Sequence, residues 1–197
     1  MLDRKRYMVR ERVRLARLTD KFDIFDPDTG EEIGYAQEEP GAGLALLRLF
    51  MSKKVLPNRI NVYSTEGGGE PRLVLTVTKP FTFFRSYFTV STPDGRALGT
   101  LRSKIFTIGG GLVVISPSGE EVADLSGNFI GWEFTLTDNS GREIGRITKK
   151  WAGALKEMFT TADNYLVEAY DDAPPGANVL LLCSALAIDA VYKEANK

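Results

Sequence analysis

The sequence predicts a mainly β protein, a closed antiparallel barrel of about 12 strands around a buried, hydrophobic C-terminal helix. Three observations carry that reading. One unit recurs along the chain, in which alternating apolar residues run into a turn rich in Asp, Pro, Ser and Gly and then into a second short run. There is no βαβ rhythm, so a parallel sheet is not expected. The most apolar stretch, Asn178 to Tyr192 (NVLLLCSALAIDAVY), has helical length, and 12 of the 14 residues from Val179 to Tyr192 are apolar or aromatic.

Taken in order, Arg6 to Leu18 reads as a first strand. The hairpin unit then appears as FDIFDPDTGEEIGYAQ from Phe22 and, more loosely, as INVYSTEGGGEPRLVLTVTK from Ile60. It returns as FTVSTPDGRALGTLRSK from Phe88, LVVISPSGEEVADLSGN from Leu112 and FTLTDNSGREIGRITKK from Phe134. In each, period-two residues bracket a tight turn where glycine supplies positive φ. Tyr165 to Tyr170 adds a further strand. Two segments, Pro40 to Pro57 and Lys149 to Asn164, have helical or mixed apolar spacing and are expected to form short helices between hairpins.

Pro174, Pro175 and Gly176 punctuate the chain before its last helix. From Ala177 to Lys193 that helix would be about 26 Å long. Its polar side chains, Ser184 and Asp189, are five residues apart and point in different directions, so the helix is apolar all round and has to be surrounded on every side. A bilayer needs about 20 consecutive apolar residues, and placing Asp189 in hydrocarbon costs on the order of 2.5 to 3.5 kcal/mol. The interior of the protein is the better environment. A barrel of about 12 strands has a lumen wider than its own side chains fill, which suits an internal helix. Cys183 then reads as a small buried hydrophobe.

The bulk properties narrow the function. With 197 residues, 43% hydrophobic and 26% charged, the chain is expected to fold as one domain spanning 1–197. Its net charge of -1 conceals an asymmetry: Met1 to Arg17 carries seven Arg or Lys, whereas Asp20 to Pro40 carries eight carboxylates and only Lys21. Such neighbouring blocks are expected to screen one another rather than bind nucleic acid. One cysteine and a start without an apolar h-region point to a cytoplasmic location. The absence of histidine excludes Ser-His-Asp triads, Cys-His dyads and His-based zinc sites. GAGLAL (Gly41 to Leu46) lacks the third glycine and the βαβ setting of a dinucleotide site, and the GGG runs at Gly67 and Gly109 lack the Lys and Ser or Thr of a P-loop. Trp132 and Trp151 are expected to cap the barrel rim. Asp171 and Asp172 are adjacent in an extended segment and point opposite ways, so no acid–base pair and no enzyme is expected.

The segment IGRITKKWAGALKEMFTTADNYLVEAYDD (Ile144 to Asp172), followed by ALAIDAVYKE, resembles the phospholipid scramblase family, and also the plant LURP-one-related proteins and their bacterial relatives. The resemblance implies the Tubby C-terminal-like fold, twelve strands around a central hydrophobic helix. It also implies two kinds of site. A proposed calcium segment of scramblases maps onto Asp163 and Asn164, with Glu168, Asp171 and Asp172 nearby. These are oxygen ligands of the right kind for Ca²⁺ at a spacing that is not an EF-hand's; the alternative is a solvated carboxylate cluster. No other cofactor is implied. Tubby domains hold phosphoinositide headgroups with basic residues, and here GLALLRLFMSKK sets Leu44, Leu46, Leu47, Phe50 and Met51 beside Arg48, Lys53 and Lys54. That segment could bind an anionic membrane lipid at the interface, or could be a lid whose apolar side faces the core. The expected function is therefore non-enzymatic binding of lipid or a membrane surface, with peripheral attachment. The alternatives are a soluble domain that binds a protein partner, and calcium-dependent lipid scrambling.

Overall fold

The computed structural model describes residues 1–12, 20–39, 55–104, 110–128, 131–149 and 164–192. Within them lie twelve strands: β1 (Arg6–Glu11), β2 (Lys21–Phe25), β3 (Glu32–Glu38), β4 (Asn58–Ser64), β5 (Arg72–Lys79), β6 (Tyr87–Ser91), β7 (Ala97–Ser103), β8 (Gly111–Ile115), β9 (Glu121–Asn128), β10 (Glu133–Asp138), β11 (Glu143–Thr148) and β12 (Asn164–Ala169). One helix follows, α1 (Ala177–Tyr192). Each strand pairs antiparallel with its neighbour in sequence, and β1 closes the barrel on β12 with Tyr7 opposite Val167 and Val9 opposite Tyr165. The expected barrel is present, and all five hairpins fall where the repeated unit placed them. β1 ends at Glu11, before 13–19, which lie outside the described residues. Of the two expected short helices, 40–54 and 150–163 also lie outside them, and Asn164 opens β12 instead.

The repeated turn sequences share a backbone geometry. Thr92, Ser116 and Asp138 each donate their amide to the carbonyl four residues on, at 3.0, 2.8 and 2.9 Å. Gly95, Gly119 and Gly141 each donate back to the same three residues, with φ of +87°, +90° and +81°. The strand register shifts beside each turn, at Val90/Ser91, Val114/Ile115 and Leu136/Thr137. This is a turn closed by a bulge with glycine in the left-handed position, where a Cβ would be strained.

Alternation sends one face of every strand inward, including Leu75 and Val77, Phe88 and Val90, Leu112 and Val114, and Phe134 and Leu136. The lumen they line is filled by α1, whose Leu181, Leu182, Cys183, Ala185, Leu186, Ala187 and Ile188 have no exposed surface. Burying Leu181, Leu182, Leu186 and Ile188 alone contributes on the order of 6 to 12 kcal/mol relative to leaving them in water. Two strand positions admit the helix because they lack a side chain. A Cβ on Gly145 of β11 would lie 2.8 Å from Leu181 Cδ2, and one on Gly99 of β7 would lie 3.1 Å from Leu180 Cδ2. The start of α1 is pinned by Asn178, whose amide donates to the carbonyls of Leu2 and Arg4, both at 2.7 Å.

Candidate lipid-facing site

The strand directions sort every connection to one of two ends of the barrel. The short turns after β2, β4, β6, β8 and β10, and the segment from β12 to α1, lie at one end. The connections after β1, β3, β5, β7, β9 and β11 must all lie at the other, which is also where α1 points its C-terminus. The six segments at the turn end, together with Met1–Lys5 leading into β1 there, contain ten carboxylates and four Lys or Arg. In sequence, the six connections between strands whose ends meet at the loop end hold 11 Lys or Arg and four carboxylates, of which Arg12, Arg85, Lys104, Lys149, Asp20 and Glu39 are among the described residues. The two sets of connections thus differ in the sign of the charge they carry in sequence.

Arg48, Lys53, Lys54 and Asp163 lie outside the described residues, in connections that join strands at the loop end. The remaining residues predicted to hold a metal are spread along β12. Asn164 is buried at the loop end; Asp171 and Asp172 lie beyond the opposite end of the strand, about 20 Å away at the rise of an extended chain. Each carboxylate is engaged by a base. Glu168 accepts from Arg146 Nε at 2.8 Å and lies 3.3 Å from Arg6 Nε, its neighbours on the two flanking strands. Asp171 accepts from Lys5 Nζ at 2.7 Å, which holds its carboxyl below the ordinary range, and Asp172 pairs with Arg142 at 3.1 Å. Among the described residues no group of three or more Cys, Asp or Glu is placed to hold a metal ion.

The basic and acidic blocks of the N-terminal region do screen one another. Arg4 pairs with Asp26, Arg6 with Asp28 at 2.6 Å, and both Arg10 (3.1 Å) and Arg12 (2.7 Å) with Asp23. Asp23 is fully buried on the outer wall, and it raises the pKa of the Arg12 guanidinium that donates to it.

Cys183 is free and sealed, and burial pushes its thiol up to about 12. Tyr165 is stacked on Trp132 with ring centroids 5.3 Å apart, so Trp132 seats at the loop-end rim, in the left-handed backbone region at φ +46°, whereas Trp151, expected there too, lies outside the described residues. Burial, then the nearby charge of Asp189, raises the Tyr165 phenol well above its ordinary value.

One surface was not singled out in the sequence. The connection from β5 to β6, PFTFFRS (Pro80 to Ser86), exposes Phe84 at 93%, Phe83 at 71% and Phe81 at 46% of their surfaces, with Tyr87 next to them at 39%. Three phenylalanines in four residues were readable as a signal, but an alternating aromatic run beside a strand reads as core. Its base is fixed. Thr82 N donates to Val55 O at 3.0 Å, Lys79 Nζ donates to Leu56 O at 2.6 Å, and Ser86 and Ser103 exchange bonds at 2.9 Å.

A protein-family model described as Scramblase matches residues 20–195. Neither the curated proteins nor the solved structures contain a match to the chain.

Proposed function

The chain belongs to the scramblase family, whose function is lipid-related and not that of a catalytic enzyme family, and from that premise we propose that it binds the surface of an anionic membrane peripherally, with its barrel intact. The observation that carries this reading is the burial of α1. Its 16 residues form no membrane span, no other helix among the described residues is long and apolar enough to be one, and withdrawing it would empty the lumen. Lipid is therefore met from outside. The cationic loop end supports the direction of approach, and Arg48, Lys53 and Lys54 in the β3–β4 connection are assigned to anionic headgroups, each worth about 1 kcal/mol near the surface.

The test is cosedimentation with vesicles of phosphatidylcholine alone or mixed with phosphatidylserine. Binding is expected only to the mixed vesicles, weakening as salt rises and on combining Arg48→Glu, Lys53→Glu and Lys54→Glu. Salt-independent binding, or none with phosphatidylserine present, would refute the proposal. Calcium has no role in this reading, so a chelator should leave the binding unchanged.

A further inference from the structure

We propose that the β5–β6 loop is the element that enters the bilayer, with Phe81, Phe83 and Phe84 among the acyl chains and Arg85 at the headgroups. This rests on the peripheral-membrane reading and adds to it the point of insertion. Four of the five large exposed hydrophobic side chains among the described residues belong to this loop and the residue just after it; the fifth, Val122, sits on β9. A single exposed apolar residue needs no explanation, whereas three aromatic tips on one short loop mark a surface that is covered in use.

What covers them follows from shape and charge. The loop is a projection held at its base, with Phe81 and Phe83 packed edge to face at 4.9 Å, so its aromatic tip is presented without having to be ordered on binding. Its one charged residue is Arg85, with no carboxylate in the loop, and Tyr87 below it offers a phenol at the level where amphipathic rings collect in membranes. The projection stands on the cationic end of the barrel, and the backbone it bonds at Val55 directly follows Lys54 in the chain. An apolar tip with Arg85 at its base, in a set of connections that is net cationic in sequence, fits a bilayer bearing anionic headgroups, with rings burying to a depth of about 5–10 Å. The acidic turn end would be turned toward water.

The sealed Cys183 makes the experiment selective, because Phe84→Cys introduces the accessible thiol for an environment-sensitive dye. On mixing with phosphatidylcholine–phosphatidylserine vesicles, dye at residue 84 should brighten and be quenched by spin-labelled acyl chains. Dye on Asp94→Cys, in a turn at the opposite end, should do neither. Phe83→Ala and Phe84→Ala should each weaken vesicle binding about tenfold, the loss of one buried aromatic side chain, with the melting temperature unchanged. If wild-type protein binds the vesicles while the Ala variants bind equally and the residue-84 dye stays dark, the insertion proposal is overturned and the peripheral reading stands. If wild-type protein does not bind these vesicles, both fall. A dimer that forms without vesicles and is abolished by Phe83→Ala would make the loop a contact between copies and overturn the proposal.

Discussion

The two ends of the barrel are joined by different kinds of chain. At the turn end, connections are four to seven residues long, punctuated by Gly30, Gly95, Gly119 and Gly141 at positive φ, and acidic. At the loop end they range from four residues between β9 and β10 to 19 between β3 and β4, and as a set they are net cationic in sequence and rich in aromatic and aliphatic residues. The contrast separates two tasks. Short connections with defined backbone geometry specify which strands pair and in what register. Long ones contribute little to that and are free to carry chemistry. α1 belongs to neither end, since it fills the space between them.

If this division is right, the largest effects on folding should come from the interior that both ends enclose. Leu182→Ala or Leu186→Ala should cost about 2–5 kcal/mol in urea unfolding, because nothing can close around a helix already sealed on all sides. A loss under 1 kcal/mol would mean that α1 is not the packed core. The same interior should respond to alkali. Burial holds the Cys183 thiol and the Tyr7 phenol at about 12, above their ordinary 9.0 and 10.0. The stability that depends on their neutral forms is fully present below about pH 9 and is lost as pH rises toward 12. A melting temperature that stays flat across that window would show the interior to be wet.

A smaller effect is expected on the outer wall. Asp23→Ala removes the shared acceptor of Arg10 and Arg12, both about a third exposed and able to rehydrate, so the loss should be about 1–3 kcal/mol. At the turn end, Gly119→Ala meets no neighbouring atom and should cost only the strain of its left-handed backbone, about 1 kcal/mol. At the loop end, Phe83→Ala and Phe84→Ala should change stability by less than about 0.5 kcal/mol while weakening vesicle binding. A clear drop in stability there would erase the contrast between the ends.

Much of this was legible beforehand. The five hairpins could be read because each is local: the alternation and the Gly of the turn lie within about 20 residues of one another. The terminal helix could be read because an all-round apolar surface has few homes. The candidate sites were less legible. Asn164 and Asp172 are close in sequence yet are carried to opposite ends of the barrel, because the residues between them form an extended strand and not a loop. The aromatic loop was missed because Phe81, Phe83 and Phe84 have the composition of a core strand, and only the ends of β5 and β6 show that they lie past the last paired residues.

By itself, then, the sequence determined the fold class, the hairpin pairings and the need to enclose the last helix, because these follow from local backbone preference and the period of apolar residues. The tertiary structure decided which side chains converge and which face water. Closing twelve strands sends alternate connections to opposite ends and so separates most of the carboxylates in those connections from most of the Lys and Arg in them, an arrangement set by the direction of each strand rather than by any short stretch of residues.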